Sequence, residues 1–170
     1  YIPNNKISNF PTSKFYESCK SIFYSQNYNM KNFVHKDFEF VNLFFLENCE
    51  SHLQCGIIDF QSAFKGFIGW DLISLLENPR INFTRDYNDK LIEYFYDNTS
   101  IIENFNTFLE QYYVLSLARQ TRLLGRWRKL LSTNNDNKYL DYLKITKSRT
   151  TAILNNIKNY ELRSIYEKYL

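Results

Sequence analysis

The residues best suited to chemistry lie between positions 35 and 59 of this 170-residue sequence. Asp37 precedes Asn42 by five residues between two short apolar stretches, and Asp59 lies near the end of a third. In a hairpin these polar ends would converge. Phosphoryl transfer needs such a set, because its transition state is stabilised mainly by metal ions and positioning. One carboxylate would accept the proton of the attacking hydroxyl, while oxygen atoms of an Asn and another Asp would hold Mg²⁺.

Short apolar stretches must position these polar residues. Residues 32–35, 43–46 and 55–60 are too short for helices and are rich in Phe, Val and Ile, so they are predicted to be β-strands. The polar cluster at 48–52 predicts a hairpin turn between the second and the third strand.

Helical periodicity occupies most of the remaining chain. Residues 1–11 hold two of the three prolines and predict an irregular lead-in, after which Thr12 or Ser13 is predicted to cap a first helix. The buried face of that helix is predicted from the spacing of Phe15, Cys19, Ile22 and Phe23. Later helices are predicted at 70–76, around 87–95, at 102–131 with an interruption, at 139–157 and at 162–169, with a loop at 134–137. The predicted fold class is α+β, mainly α.

Composition limits the classes of function. A chain with 44% hydrophobic and 23% charged residues does not resemble a disordered tail. The net charge of +3 is too small to indicate a nucleic acid or a membrane surface as partner. Neither a signal peptide nor an apolar run of the roughly 18 residues that span a bilayer is present, so a cytoplasmic protein is predicted. The three cysteines indicate reduced thiols.

Two alternative kinds of site compete with phosphoryl transfer. Cys49, His52 and Cys55 form a C-x2-H-x2-C run, but three ligands without an evident fourth favour a plain loop over a zinc site. The many aromatics and a pI near 8.6 would suit a nucleic-acid or protein-binding module. The aromatics lie at core spacings instead, and no RNA- or DNA-binding motif is present.

The polar residues also match known motifs. Residues 35–37 (His-Lys-Asp) with Asn42, followed by 58–60 (Ile-Asp-Phe), resemble the catalytic loop H-R-D-x-x-x-x-N and the metal loop D-F-G of the kinase fold. Lys36 replaces the Arg of the first motif, and Gln61 stands where a protein kinase has Gly.

The order of the motifs resembles the aminoglycoside phosphotransferase and choline kinase superfamily. Residues 58–63 and 66–76 are similar to I-D-F-Q-D-A and G-P-x-x-Y-D-L-x-S-L-L of the bacterial kinases that phosphorylate N-acetylmuramate and N-acetylglucosamine at the anomeric hydroxyl. Ser62 and Phe67 depart from that pattern. The similarity continues through a helix at 119–130 and covers most of the stretch from 33 to 145.

The resemblance implies the C-terminal lobe of a protein-kinase-like fold, with a small β-hairpin catalytic region at 33–62 and a helical subdomain at 69–170. ATP would be the co-substrate and Mg²⁺ the cofactor. Such a kinase needs a phosphate loop and a strand lysine, normally in an N-terminal lobe, whereas all four glycines follow Asp37. Because the chain opens on Tyr1 and its only methionine is Met30, we expect a fragment whose N-lobe belongs to the same polypeptide. Alone it should turn over little or not at all.

The resemblance implies a role for each matched residue. Asp37 would be the general base, and His35 would shape the catalytic loop. Asn42 and Asp59 would bind magnesium. Asp71 would hydrogen-bond backbone amides of the catalytic loop, so its loss would disorder the site rather than remove a reacting group.

Four further residues are candidates for substrate binding. Glu39 lies inside the catalytic loop, where a solvated turn residue is an equal alternative, and Gln61 would either contact substrate or brace the metal loop. The other two belong to a basic stripe that would hold a phosphate or an acidic sugar, with a solvated helix face as the alternative. They are Arg119 and Arg122, and the stripe continues through Arg126 and Lys129.

The function implied is transfer of the ATP γ-phosphate to a hydroxyl of a small molecule, with an amino sugar used in cell-wall recycling as the expected acceptor. Aminoglycoside, choline and homoserine kinases share the same catalytic residues and stay alternatives. A pseudokinase kept for scaffolding is a further alternative, although Asp37, Asn42 and Asp59 are all present.

Overall fold

The computed structural model describes residues 9–81, 83–101, 103–134 and 136–170. These residues form six α-helices and four three-residue strands, which confirms a mainly helical α+β fold. The helices are α1 (Thr12–Tyr24), α2 (Trp70–Leu76), α3 (Arg85–Asp97), α4 (Phe105–Asn134), α5 (Lys138–Leu154) and α6 (Tyr160–Tyr169). The strands are β1 (Asn32–Val34), β2 (Leu43–Phe45), β3 (Cys55–Ile57) and β4 (Phe64–Gly66). None of the helices in the described part of the chain combines the length and the hydropathy of a membrane span.

The chain divides into two compact units. The hairpin unit is Tyr28–Ser100, and the helical unit consists of the described residues up to Asn27 together with those from Ile101 to Leu170. The hairpin unit contains all four strands with α2 and α3, and the helical unit contains the other four helices. The assignment of 69–170 to one helical subdomain stays a prediction.

The helical unit has its core between α1, α4, α5 and α6. Leu117, Ile153 and Leu162 are buried in one cluster, against which the side chains of α1 pack. Trp127 lies in a second cluster, where its Nε1–H donates to Thr146 Oγ1 at 3.1 Å. A buried indole N–H thus finds a partner, as packing in an apolar core requires.

Helix α4 runs without interruption for 30 residues, so the predicted interruption was wrong. Gly125 is the residue in this helix most expected to weaken it, yet it is exposed and has no neighbouring atom within 4 Å of an added Cβ. A single glycine on a solvated face lowers helix stability by only about 1 kcal/mol relative to alanine. Packing along the opposite face of the helix outweighs that loss.

Helix α1 forms where its periodicity predicted it, but the predicted cap was wrong. Pro11 holds the N-cap position and its carbonyl accepts from the Phe15 amide at 2.9 Å, while no side chain caps the helix. Phe15, Cys19 and Ile22 pack against the helical core as predicted. Phe23 does not, since it is 41% exposed. Residues 1–8 of the predicted lead-in lie outside the described residues.

The hairpin unit contains two antiparallel two-stranded sheets. Strands β2 and β3 pair with Phe44 opposite Gly56, which confirms the predicted hairpin. Strand β1 pairs with β4, a strand the sequence analysis missed. At Gly66, opposite Asn32, an added Cβ would lie 2.6 Å from a ring carbon of Phe64, so only glycine fits there without displacement.

The turn between α2 and α3 is held by polar contacts. Helix α2 ends before Asn78-Pro79, as predicted, and α3 begins after Thr84, whose Oγ1 accepts from the Tyr87 amide at 3.3 Å. The fully buried Glu77 accepts from Arg85 Nη1 at 2.8 Å. A buried carboxylate needs such a partner. The start of α3 is therefore fixed against the end of α2.

Candidate active site

Asp71 holds the backbone of the segment that contains Asp37. In the first turn of α2, its Oδ2 accepts from the His35 amide at 2.7 Å and its Oδ1 from the Lys36 amide at 2.9 Å. Burial is the largest influence on this carboxyl and raises its pKa above the usual value, as does the charge of Asp37. The two amide hydrogen bonds and His35 act in the opposite direction. The carboxylate of Asp71 thus fixes the backbone conformation at His35 and Lys36.

Side chains of α2 hydrogen-bond both the amide and the carbonyl of Lys36. Lys36 has φ = +78°, a left-handed conformation that an L side chain adopts at a cost of about 1 kcal/mol or more. Its carbonyl accepts from Ser74 Oγ–H at 3.1 Å and from Trp70 Nε1–H at 3.3 Å. Together with Asp71, these side chains compensate the strain. Sequence analysis missed Trp70 and Ser74, although their spacing with Asp71 places all three in the first turns of one helix.

His35 joins the predicted catalytic segment, residues 35–42, to the end of the strand that precedes Asp59. It is buried, and its Nε2–H donates to the Ile58 carbonyl at 2.9 Å, since a carbonyl can only accept. Its ring also meets Phe38 edge to face at 6.0 Å between centroids. His35 therefore has a structural position, with its side chain used in packing and in a backbone hydrogen bond.

Asn42 and Asp59 lie side by side. Asn42 Nδ2–H donates to the Asp37 carbonyl at 2.8 Å and lies 3.5 Å from Asp59 Oδ2, while the Ile58 amide donates to the Asn42 carbonyl at 3.1 Å. Asp59 lies two residues after the end of β3 and has φ = +69°, a left-handed conformation. Gln61 Nε2–H donates to the other oxygen of that carboxylate. The structure thus places the Gln61 side chain against the Asp59 carboxylate.

The donor set fits a hard divalent cation. An amide oxygen and a carboxylate are the kind of ligands that Mg²⁺ takes, with water and phosphate oxygens completing the shell. Asp59 is exposed and Asn42 half-buried, so both are accessible from solvent. Among the described residues, no group of three or more His, Cys, Asp or Glu side chains is placed to hold a metal ion, which applies to the cysteine-histidine run too. Magnesium binding by Asn42 and Asp59 stays a prediction.

Asp37 and Glu39 share one tight turn. The Glu39 amide donates to the Asp37 carbonyl at 2.9 Å, and the Asn42 amide donates to the Glu39 carbonyl at 2.8 Å. Asp37 is half-buried. The Glu39 carboxylate accepts from Arg80 Nη1, so Glu39 is not the solvated turn residue of the alternative prediction. Arg80 was not recognised from the sequence, because it lies 41 residues away.

The two basic candidates belong to the helical unit and differ from each other. Arg119 is only 4% exposed, whereas Arg122 is exposed, so the prediction of a single solvated stripe is wrong at Arg119. Arg119 lies on the buried face of α4, together with Ser116, Gln120 and Leu123. Because an α-helix has 3.6 residues per turn, side chains spaced three or four residues apart do not all lie on the same face. Substrate binding by either arginine stays a prediction.

Comparison with known proteins gives one informative similarity and one negative finding. The chain is 24% identical over 111 residues to the N-acetylmuramate/N-acetylglucosamine kinase of Caulobacter vibrioides. That alignment covers 65% of this chain and 30% of the Caulobacter protein, so the chain spans less than a third of this relative. No protein-family model matches the chain. The similarity is distant and partial, and it supports a relation to the kinase superfamily.

Proposed function

We propose that this chain is the C-terminal lobe of an ATP-dependent phosphotransferase with a protein-kinase-like fold. The observation that carries the proposal is the contact of Asn42 with Asp59 beside the Asp37 turn, in a segment that Asp71 holds by two backbone amides. Phosphoryl transfer depends on positioning and on charge stabilisation, and this arrangement provides groups for both. The nucleotide-binding lobe would be contributed by the same polypeptide outside this chain.

Each side chain has a definite task in this proposal. Asp37 accepts the proton of the acceptor hydroxyl as the hydroxyl oxygen bonds to the γ-phosphorus, while the bond from that phosphorus to the bridging oxygen breaks and ADP leaves. Asn42 and Asp59 would hold magnesium, which would neutralise charge on the phosphate oxygens. His35 and Asp71 act through the backbone and keep the Asp37 turn in place. Gln61 orients the Asp59 carboxylate.

We propose an amino sugar, N-acetylmuramate or N-acetylglucosamine, as the acceptor, with a cytoplasmic role in cell-wall recycling. The amino-sugar kinase activity for which the Caulobacter relative is named supports this choice, as do the motifs at 58–63 and 66–76. Aminoglycoside, choline and homoserine kinases of the same superfamily are the alternatives, followed by a pseudokinase.

The test is acceptor-dependent ADP release by the full-length protein with Mg²⁺ and ATP. The acceptors are N-acetylmuramate, N-acetylglucosamine, choline, homoserine and kanamycin. Asp37→Ala should lower kcat by at least about 100-fold, the usual contribution of a general base, without unfolding the protein. The matched control is Asp86→Ala, which removes an exposed carboxylate paired only across one turn of α3. Turnover by Asp37→Ala equal to that of the control would overturn the assignment.

A further inference from the structure

The catalytic segment carries one more charge than phosphoryl transfer requires. Asp37 and Asp59 have roles in the proposed reaction, but Glu39 adds a third carboxylate two residues after the base. ATP brings several negative charges to the same place, so an uncompensated carboxylate there would repel the reacting phosphate. The Glu39–Arg80 ion pair removes this repulsion, because it is neutral as a whole.

Arg80 is held in place by a hydrogen bond within the turn that follows α2. Its amide donates to Asn78 Oδ1 at 3.0 Å, and Asn78 is buried. A second contact joins the same two segments, since the rings of Phe40 and Phe83 lie 5.9 Å apart. The turn after α2 therefore meets the catalytic segment at two neighbouring positions, one ionic and one aromatic.

Both side chains of the pair keep part of their surface exposed to solvent. The side chains of Glu39 and Arg80 are 18% and 35% exposed. A guanidinium has five N–H donors and a carboxylate several acceptor sites, more than the contact of Arg80 Nη1 with the Glu39 carboxylate uses. Donors and acceptors at fixed positions beside a base suit the adjacent hydroxyl groups of a sugar. They do not suit an ammonium group, which the guanidinium repels and the neutralised carboxylate no longer attracts.

We propose that the Glu39–Arg80 pair is a specificity determinant that favours neutral, hydroxyl-rich acceptors over cationic ones. The proposal rests on the phosphotransferase function proposed above. It assigns Arg80 to positioning and selection, and leaves proton transfer to Asp37.

The test compares two acceptors that differ in one charge. N-acetylglucosamine is neutral, and glucosamine carries an ammonium group in place of the amide. Full-length protein is assayed for kcat/KM on both, in the wild type and in Arg80→Gln. Arg80→Gln removes the positive charge that compensates the Glu39 carboxylate, so the preference for N-acetylglucosamine should fall by about tenfold. Glu39→Gln/Arg80→Gln removes both charges and should restore most of the preference.

Two variants separate charge from shape. Arg80→Lys keeps the positive charge and should keep most of the preference. Arg163→Gln changes a half-buried arginine of the helical unit, outside the proposed site, and should leave the ratio unchanged.

The possible failures are distinct. If Arg80→Gln lowers kcat/KM by the same factor for both acceptors, the pair is merely structural and the inference is overturned alone. A wild type that releases no ADP with any of the acceptors named above overturns the proposed function, and this inference with it.

Discussion

Replacement of Asp71 by alanine tests the structural basis of the site, because the two backbone amides at His35 and Lys36 would lose a charged acceptor at 2.7 and 2.9 Å. Hydrogen bonds to charged groups contribute about 1.5–3 kcal/mol each, so the two together contribute about 3–6 kcal/mol. Burial of the carboxyl, which raises its pKa, offsets part of this. We expect Asp71→Ala to lower the free energy of unfolding by about 2–4 kcal/mol.

Urea unfolding followed by circular dichroism measures this change directly. In a chain of this size 1 kcal/mol corresponds to about 2–4 °C, so the melting temperature should fall by about 5–15 °C. Activity of the full-length protein should fall with it, because the Lys36 turn would relax from its left-handed conformation. Asp86→Ala, which removes an exposed carboxylate, should change stability by less than about 0.5 kcal/mol.

The reasoning would be refuted by an Asp71→Ala protein as stable as the Asp86→Ala control. In that case the hydrogen bonds of Trp70 and Ser74 to the Lys36 carbonyl would be sufficient to hold the turn.

Two further predictions follow from local features of the fold. The raised pKa of Asp71 means that the folded state binds this proton more tightly than the unfolded state, so the part of the stability that depends on this proton is present at acid pH and is lost as pH rises through the folded pKa. The difference in unfolding free energy between wild type and Asp71→Asn should therefore decrease from acid to neutral pH in urea titrations, and an increase would contradict it. Gly66→Ala should destabilise by about 1–3 kcal/mol, since its Cβ would lie 2.6 Å from a Phe64 ring carbon, while Gly125→Ala, with no atom within 4 Å, should stabilise α4 by about 0.5–1 kcal/mol. Thermal melts of both variants check the opposite signs, and a Gly66→Ala protein no less stable than the wild type would show that the contact at Gly66 is relieved at little cost.

Several parts of the fold follow from local sequence patterns. The apolar residues of α1 and α3 recur with the period of an α-helix. The dipeptide Asn78-Pro79 marks the end of α2. The hairpin of β2 and β3 follows from two short apolar stretches around a polar cluster. In each case the signal lies within one element or between neighbours in the chain, where periodicity and turn chemistry act.

Strand β4 shows where local patterns fail. Three residues are too few to display an alternation, and the strand exists because it pairs with β1, with Phe33 opposite Lys65. The burial of Arg119 is a similar case, because its position on α4 is decided by which face of the helix packs. Helix spacing alone groups it with the exposed arginines.

The types and order of Asp37, Asn42 and Asp59 are determined by the sequence itself, and so is the kind of chemistry that these groups can perform. Only the tertiary structure decides how they are held. Asp71 reaches the Lys36 turn across 35 residues, and Arg80 reaches Glu39 across 41. Such contacts depend on how α2 packs beside the catalytic segment, and the free energy that stabilises them comes from that packing. The chemical identity of a site is thus a local property of the chain, whereas its geometry and net charge result from contacts between distant segments.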